Sequence, residues 1–577
     1  MKRNPVYVLL FLLASLILFP ACDDENFSVD PSLALSFSQD TLRMDTILAG
    51  IGTSTHILKV YNRNKESLII SSIVLADAAN SGFRINVDGM KGNSFYDVEI
   101  RSKDSLYVFI EATLAPQDSD EPVFRKDSIV FITNTNRQNV KLLAYGQDFV
   151  SLRQKEITQD TLISSARPIV IYDSLSVKEG ARLTIGAGTR FYFHGKSSIQ
   201  VHGQLVAEGT LEAPVVFRGD RTDKMFSNLP YDRLPGQWDG IRFHTSSYDN
   251  SLNFVDIHGG IYGIRCDSSA IDQKKLTLTN SVIRQVSGNG LEMTSCQASI
   301  GNCEISNAGK NCVSLLGGNY KFVHCTLANY YSWDIKQGVA LALKNESGEI
   351  AYPIINAAFH NCIIAGSSND EINGSRSDDS SIAFDYLFSH CLINSVEEKN
   401  DKIINVTWKK DDNFLLTDKR GEQLFDFQLT PKSAAINIGL SEDAQDFPLD
   451  LKGMPRTIDE APDAGCYEWQ EKEEEEIMIQ CANMPMKYQK WIIQILAYSH
   501  IGTLNHYYFS IRIRASTANK PLSVATNGFI SISFISLAKR NKVERRTIMS
   551  AYCCSSMPFC PRVPLMIGYP LKERIIE

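Results

Sequence analysis

The chain has 577 residues, 44% of them hydrophobic and 21% charged, ordinary globular proportions that exclude a mostly disordered, collagen-like or polytopic membrane chain. At about 150 residues per domain this length allows about four structural units, unless a repeat array absorbs it. Fifty-eight Lys and Arg against 66 Asp and Glu leave a net charge of −8, so nothing global recommends nucleic acid as a partner.

Residues 1–22 read as a signal segment. Lys2 and Arg3 precede an apolar run at 6–19, too short to span a bilayer and flanked as secretory signals are. Leu18-Phe19-Pro20-Ala21-Cys22 resembles the bacterial lipobox, whose cysteine is acylated and becomes the new N-terminus; Phe19 departs from the usual small aliphatic residue. Asp23, Asp24 and Glu25 follow, a cluster similar to the surface-export signal of Bacteroidetes lipoproteins. The resemblance implies lipidation at Cys22, a membrane reached through that anchor, and an outer-membrane, surface-exposed location. Two or more acyl chains anchor stably where one does not.

Residues 33–148 alternate with period two. Ile57-Leu58-Lys59-Val60-Tyr61, Leu106-Tyr107-Val108-Phe109-Ile110 and Ser128-Ile129-Val130-Phe131-Ile132 are short strand patterns between Asn, Asp, Ser and Gly clusters, as in an antiparallel sandwich. The segment resembles the immunoglobulin-like domains that follow bacterial anchors. That resemblance implies a spacer or docking role.

Residues 169–470 carry a repeat. Leu205 lies 22 residues after Leu183, and one hexapeptide recurs as Leu278 to Ile283, Ile300 to Ile305, Phe322 to Leu327, Phe359 to Ile364 and Phe388 to Ile393, with a forerunner at 252–257. Its two apolar positions are always five apart. That spacing puts them on opposite parities, which a straight strand cannot face inward together. The strand must bend between them, and Asn or His in the middle suits a corner at positive φ. Stacked corners build a coil of parallel strands rising about 4.8 Å per rung, here with about nine rungs between Leu175 and Val406. A second strand column is expected at Ile241, Ile264, Leu291, Val313 and Val339.

The repeat, Gly180-Ala181-Arg182-Leu183-Thr184-Ile185, Gly236-Gln237-Trp238-Asp239-Gly240-Ile241 and Gly317-Gly318-Asn319-Tyr320-Lys321-Phe322 together resemble right-handed parallel β-helix lipoproteins of the pectin-lyase-like superfamily. Asp426-Phe427-Gln428-Leu429, Ser433-Ala434-Ala435-Ile436-Asn437, Asp450-Leu451-Lys452-Gly453, Arg456 and Asp463-Ala464-Gly465-Cys466-Tyr467-Glu468 are similar to the terminal cap of secreted bacterial β-helices, with Ala435 in place of the usual proline. The resemblance covers about 320 residues and implies an all-β chain: an immunoglobulin-like sandwich followed by a right-handed parallel β-helix. It is weak for function, because this fold hosts lyases, hydrolases, adhesins and spacers.

The chain has 13 cysteines, which in an exported protein suggests disulfides. The repeat argues otherwise. Cys303, Cys325, Cys362 and Cys391 share one position of the phrase, after Ser281, so their Cβ atoms stack about 4.8 Å apart, beyond the roughly 3.8 Å a disulfide wants. They are expected as reduced interior thiols. A single stacked column also offers no tetrahedral set for zinc, and His324 and His390 fall at the corners. Scattered Asp and Asn leave calcium open, but no EF-hand or nonapeptide run appears, so no cofactor is expected.

Enzymes of this fold act on an exposed strand face. The second column puts Arg242, His244, Arg265, Asp267 and Glu292 outward on one patch. It could hold an acidic sugar, or it is a solvated ladder in which Arg265 and Glu292 pair across rungs at about 0.2–1 kcal/mol. Asp378-Asp379 and Asp411-Asp412 fall in loop-like segments, and Asp256-Ile257-His258 resembles a pectate-lyase signature only superficially.

Residues 471–577 are compositionally foreign. Beyond Glu476 six Lys and seven Arg face three Glu, and no Asp follows Asp463. A disordered or frameshifted extension is expected, and the rival reading is a basic module for polyanions. The functional expectation is a lipid-anchored surface protein for binding or display, toward glycans. Its alternatives are a polysaccharide lyase or hydrolase using the Arg242 to Glu292 patch, and a structural scaffold or adhesin.

Overall fold

The structure is a computed structural model. It describes residues 26–470 except 227, 410, 411, 420 and 421, and beyond 470 only the strands Glu475–Gln480, Phe509–Arg514, Phe529–Arg540 and Val543–Cys554. The signal segment, Cys22 and most of the basic tail lie outside the described residues. The chain divides into two compact units, residues 1–469 and 470–577.

The first unit begins with two five-stranded sheets around one core. The first holds Ser36–Phe37, His56–Tyr61, Ser105–Ala112, Phe83–Val87 and Met90–Gly92 in that order, and the second holds Thr41–Leu48, Asn136–Gln147, Val123–Thr133, Leu68–Leu75 and Ser94–Ile100. Period-two alternation decides which side faces in: Leu106, Val108, Ile110 and Ala112 are buried while Tyr107 is exposed. Thr41–Leu48 runs parallel to Asn136–Gln147, a departure from the expected antiparallel pattern.

The coil follows, in parallel strands from Val150–Ile157 onward. Leu252, Leu278, Ile300, Phe322, Phe359 and Phe388 occupy successive rungs in direct register, within a ten-stranded first column ending at Ile403–Ile404. The corner after them lies at positive φ: 50° at Asn280, 52° at Asn302, 51° at His324, 50° at Asn361 and 53° at His390. Their side chains link neighbouring rungs, Asn302 Nδ2 donating to Asn280 Oδ1 at 2.8 Å and Asn280 Nδ2 to Asn253 Oδ1 at 2.8 Å.

The second half of the phrase is a column of its own, the third. Ile257, Ile283 and Ile305 succeed one another in it and point inward with no exposure. Together with the second column it forms an 18-stranded sheet, because Val150–Ile157 and Ile169–Val177 are long enough to serve both.

The cysteines of the phrase have free, fully buried thiols. Each reaches back across its corner to the carbonyl two residues earlier: Cys303 to Gly301 at 3.1 Å, Cys325 to Val323 at 3.4 Å, Cys362 to His360 at 3.2 Å and Cys391 to Ser389 at 3.3 Å. Ser281 makes the same bond to Thr279, so the position wants a small side chain with one donor. Burial pushes the Cys303 and Cys362 thiols well above the ordinary range, which keeps them out of the reactive thiolate form. Because all four sulfurs are fully buried, native protein will leave these cysteines unmodified by iodoacetamide at mildly alkaline pH, and concentrated guanidinium will expose them. Peptide mapping that found native alkylation would mean the rungs open.

The segment expected to cap the coil runs instead along its side. After the strand pair Phe414–Lys419 and Leu424–Leu429, Asn361 Nδ2 donates to Leu440 O at 3.0 Å and its Oδ1 accepts from Leu440 N at 2.8 Å. Cys466 N donates to Thr326 Oγ1 at 3.1 Å and Tyr467 Oη to Glu304 Oε2 at 2.6 Å. The reason is on the third column's outer face. Ala328, Ile363, Ala365 and Leu392 are apolar there, and they pack with Phe427, Leu429, Leu451 and Cys466 into a separate core.

Candidate functional site

The outward ladder of the second column runs Gln200, Arg242, Arg265, Glu292, Ser314, Ala342. Arg242, Arg265 and Glu292 therefore fall on three consecutive rungs, with His244 and Asp267 beside them. The next strand is displaced by two residues from the expected register. Leu341, not Val339, faces Val313, and Ala340 is fully buried rather than outward. The irregular stretch at 330–340 lengthens that rung, and a spacing rule carries no information about an insertion.

The charges on this face are paired with one another. Arg242 Nε donates to Asp267 Oδ1 and Oδ2 at 3.1 Å each, and its Nη2 lies 3.0 Å from Asp267 Oδ2. Arg265 Nε stands 3.2 Å from Glu292 Oε1, at an angle that makes an ion pair without a hydrogen bond. Its guanidinium lies 3.7 Å over the Tyr262 ring, and Asn289 Nδ2 donates to Glu292 Oε2 at 2.6 Å. His244 stacks on His202 with ring centroids 3.9 Å apart and contacts Gln200 Oε1 at 2.8 Å. Burial, then the His202 and Arg242 charges, hold its pKa below the ordinary histidine range.

Further along the same face a groove of about 510 Å3 opens between the second column and the hairpin of Glu346–Ser347 and Ile350–Ala351. Glu292, Thr294, Ser314, Lys344, Glu346 and Ser375 line it. The five residues singled out in the sequence thus lead into a polar trough.

A denser constellation, not anticipated from the sequence as a site, lies on the third column. Tyr192, Arg218, His258 and Arg284 follow one another outward, one per rung. An insertion at 220–238 brings the 3-10 turn Tyr231–Arg233 against them. Asp232 Oδ1 there forms an ion pair with Arg218 Nη1 at 2.5 Å and sits 3.0 Å from His258 Nε2. His258 Nδ1 lies 2.8 Å from Asp256 Oδ1, and Arg284 Nη2 donates to Asp256 Oδ2 at 3.0 Å. The surrounding cations hold both aspartates well below the usual carboxylate range, against the opposing effect of burial. Glu304, next along, is raised by its burial. The signal available in sequence was the Asp256-Ile257-His258 triplet; Asp232 arrives through an aperiodic insertion.

The remaining candidates are dispersed. Asp378 and Asp379 lie in a loop, and Asp411 is outside the described residues. His324 and His390 are corner residues, and burial pushes the His324 imidazole well down, toward its neutral form. Among the described residues no group of three His, Cys, Asp or Glu side chains is arranged to hold a metal ion.

No protein-family model matches the chain, and no curated protein matches it. Among solved structures it is similar to a protein of unknown function from Porphyromonas gingivalis W83, at 16% identity over 22% of this chain and 51% of that one, with a TM-score of 0.15. The chain thus spans about half of that protein. It is also similar to the catalytic unit of a GH87 alpha-1,3-glucanase from Streptomyces thermodiastaticus, at 9% identity over 61% of this chain and 75% of that one, TM-score 0.22. A family 123 glycoside hydrolase from Clostridium perfringens shares 8% identity over 22% of this chain and 30% of its own, TM-score 0.15. Likenesses this slight bear no weight on function, and the parallel β-helix rests on its own strand register.

Proposed function

We propose that the protein is a lipid-anchored, surface-exposed envelope protein that binds glycans along the second column of its coil without cleaving them. Lys2, Arg3, the apolar run and Cys22 support the anchor. The sandwich, taken as immunoglobulin-like, is the spacer that holds the coil off the membrane. The observation that carries the binding reading is the polar ladder from Gln200 to Ala342 ending in the trough beside the Glu346 hairpin. Its rungs repeat about every 4.8 Å, close to the rise of an extended sugar chain, and Gln200, Arg242, Arg265, Glu292 and Ser314 present an amide, two guanidinium groups, a carboxylate and a hydroxyl in succession along it. Cleavage is disfavoured because Asp267 and Glu292 each face an arginine, which leaves no acid–base pair free to act on a glycosidic bond.

Affinity electrophoresis of the purified protein through a panel of neutral and acidic polysaccharides tests this. Retention without product is expected. Arg265→Ala and Glu292→Ala should each weaken retention about tenfold, the loss of roughly 1.4 kcal/mol. Reducing ends or ultraviolet-absorbing unsaturated ends would make the protein a hydrolase or a lyase, and failure of every polysaccharide to retard it would remove the binding reading.

A further inference from the structure

We infer that the cleft where the sandwich meets the coil is a binding site for an acidic saccharide, taking its carboxylate or sulfate group. The cleft encloses about 370 Å3, within the range of small-molecule sites and large enough for a sugar ring rather than a bare ion. The sandwich contributes Asp45 and Thr46, the third column contributes Arg190, Tyr192 and Arg218, and the insertion contributes Lys224 and Asp232. It lies on a different column from the proposed glycan-binding face and does not depend on it.

Charge decides the ligand. Arg190, Arg218 and Lys224 line the cleft from separate strands. The two carboxylates on its walls are already engaged: Asp45 lies 3.8 Å from Lys224 Nζ, and Asp232 sits between Arg218 at 2.5 Å and His258 at 3.0 Å. Behind them both ring nitrogens of His258 meet carboxylate oxygens, at 2.8 Å and 3.0 Å. Arg284, the next cation, is balanced by Asp256 at 3.0 Å. Arg190, Arg218 and Lys224 thus outnumber Asp45 and Asp232 on the walls of the cleft, a concave place where low-dielectric walls focus the field on an anion. Arg190 is the fork that would receive it, with one N–H anchored on Ala166 O at 2.7 Å; Arg218, held 5.2 Å over the Tyr192 ring and bonded through Nε and Nη2 to Gly219 O and Arg221 O, adds a fixed charge beside it. Planar guanidinium groups fixed in this way match carboxylate and sulfate geometry.

The test is calorimetric titration of the full chain with trigalacturonate, with a sulfated disaccharide and with neutral cellotriose, at low ionic strength. An acidic ligand should bind, and added salt should weaken it. Arg190→Gln and Lys224→Gln should each reduce affinity about tenfold with an unchanged melting temperature. Binding of the uronate alone or the sulfated sugar alone identifies the source of the anion. The inference is overturned if neither acidic ligand binds, if cellotriose binds equally well, or if both variants bind like the parent.

Discussion

Arg456→Met will destabilise the protein by about 3–5 kcal/mol, the usual result of removing one member of a buried charged cluster. Arg456 is fully buried, with Nη1 donating to Glu468 Oε1 and Nη2 to Asn302 Oδ1, both at 2.6 Å. It is the one guanidinium among three buried carboxylates, Asp450, Asp463 and Glu468, and burial raises all three, Asp463 to about 6 and Glu468 to about 8. Without Arg456 the ionised members of that set lose their compensating charge. Urea unfolding monitored by tryptophan fluorescence measures the loss, and a variant as stable as the parent would show that the segment at 440–469 is not held this way. The double change Arg456→Met with Glu468→Leu should recover part of it, since an apolar replacement of a buried pair is often tolerated.

The same cluster sets a pH dependence. A carboxyl whose pKa is raised on folding contributes stability that is complete below its unfolded value, near 4.5 for Glu468, and is lost as pH rises through the folded value. The melting temperature should therefore fall as pH climbs through about 6 and then about 8. Glu468→Gln, which cannot ionise, should flatten the upper part of that decline. An alkaline rise in melting temperature would contradict the assignment.

Phe359→Ala will cost about 3–5 kcal/mol, the range for emptying an aromatic site in a packed core. Phe359 is the middle of three stacked rings, 4.7 Å from Phe322 and 5.1 Å from Phe388, and has no exposure. No neighbour within a rung can fill the gap, because the positions above and below are occupied by rings in register. In a solenoid each rung contacts only its neighbours, so hydrogen exchange should accelerate most in Gly318–Val323, Ile354–His360 and Leu387–Ser389 and least in the sandwich. Uniform acceleration throughout would show a cooperativity that stacked rungs alone do not supply.

Much of this was legible in sequence because a solenoid writes its geometry as period. Leu278, Ile300 and Phe322 stack as their spacing requires, and the left-handed corner falls on Asn and His, which tolerate it. Phe254 adopts the same conformation, at φ 49°, without any residue preference to betray it. What escaped was aperiodic. The insertion that delivers Asp232 repeats nothing, and the two-residue displacement at Leu341 follows from an irregular loop. The cap motif was recognisable as residues, but the face it lies on is chosen by Ile363 and Leu392, whose outward direction is fixed only once the third column is seen as a strand in its own right. The five second-column residues were placed on one face by the same parity argument that located the core, and the pairing of Arg265 with Glu292 was one of the two readings it offered; the pairing of Arg242 with Asp267 was not.

The lateral run of residues 440–469 has a consequence for how the chain is made. Arg456 reaches back 154 residues to Asn302, and Tyr467 reaches back 163 to Glu304. Closing loops of that length adds an entropic barrier that grows slowly with length, and such remote contacts slow acquisition of the final structure. Rungs can accumulate one after another as the polypeptide emerges, but those from Asn280 to Asn361 stay unclasped until the last stretch arrives. A nascent chain stalled before Leu440 would hold a stack free to fray from its tip, and completion of synthesis is the event that converts a row of neighbours into one body.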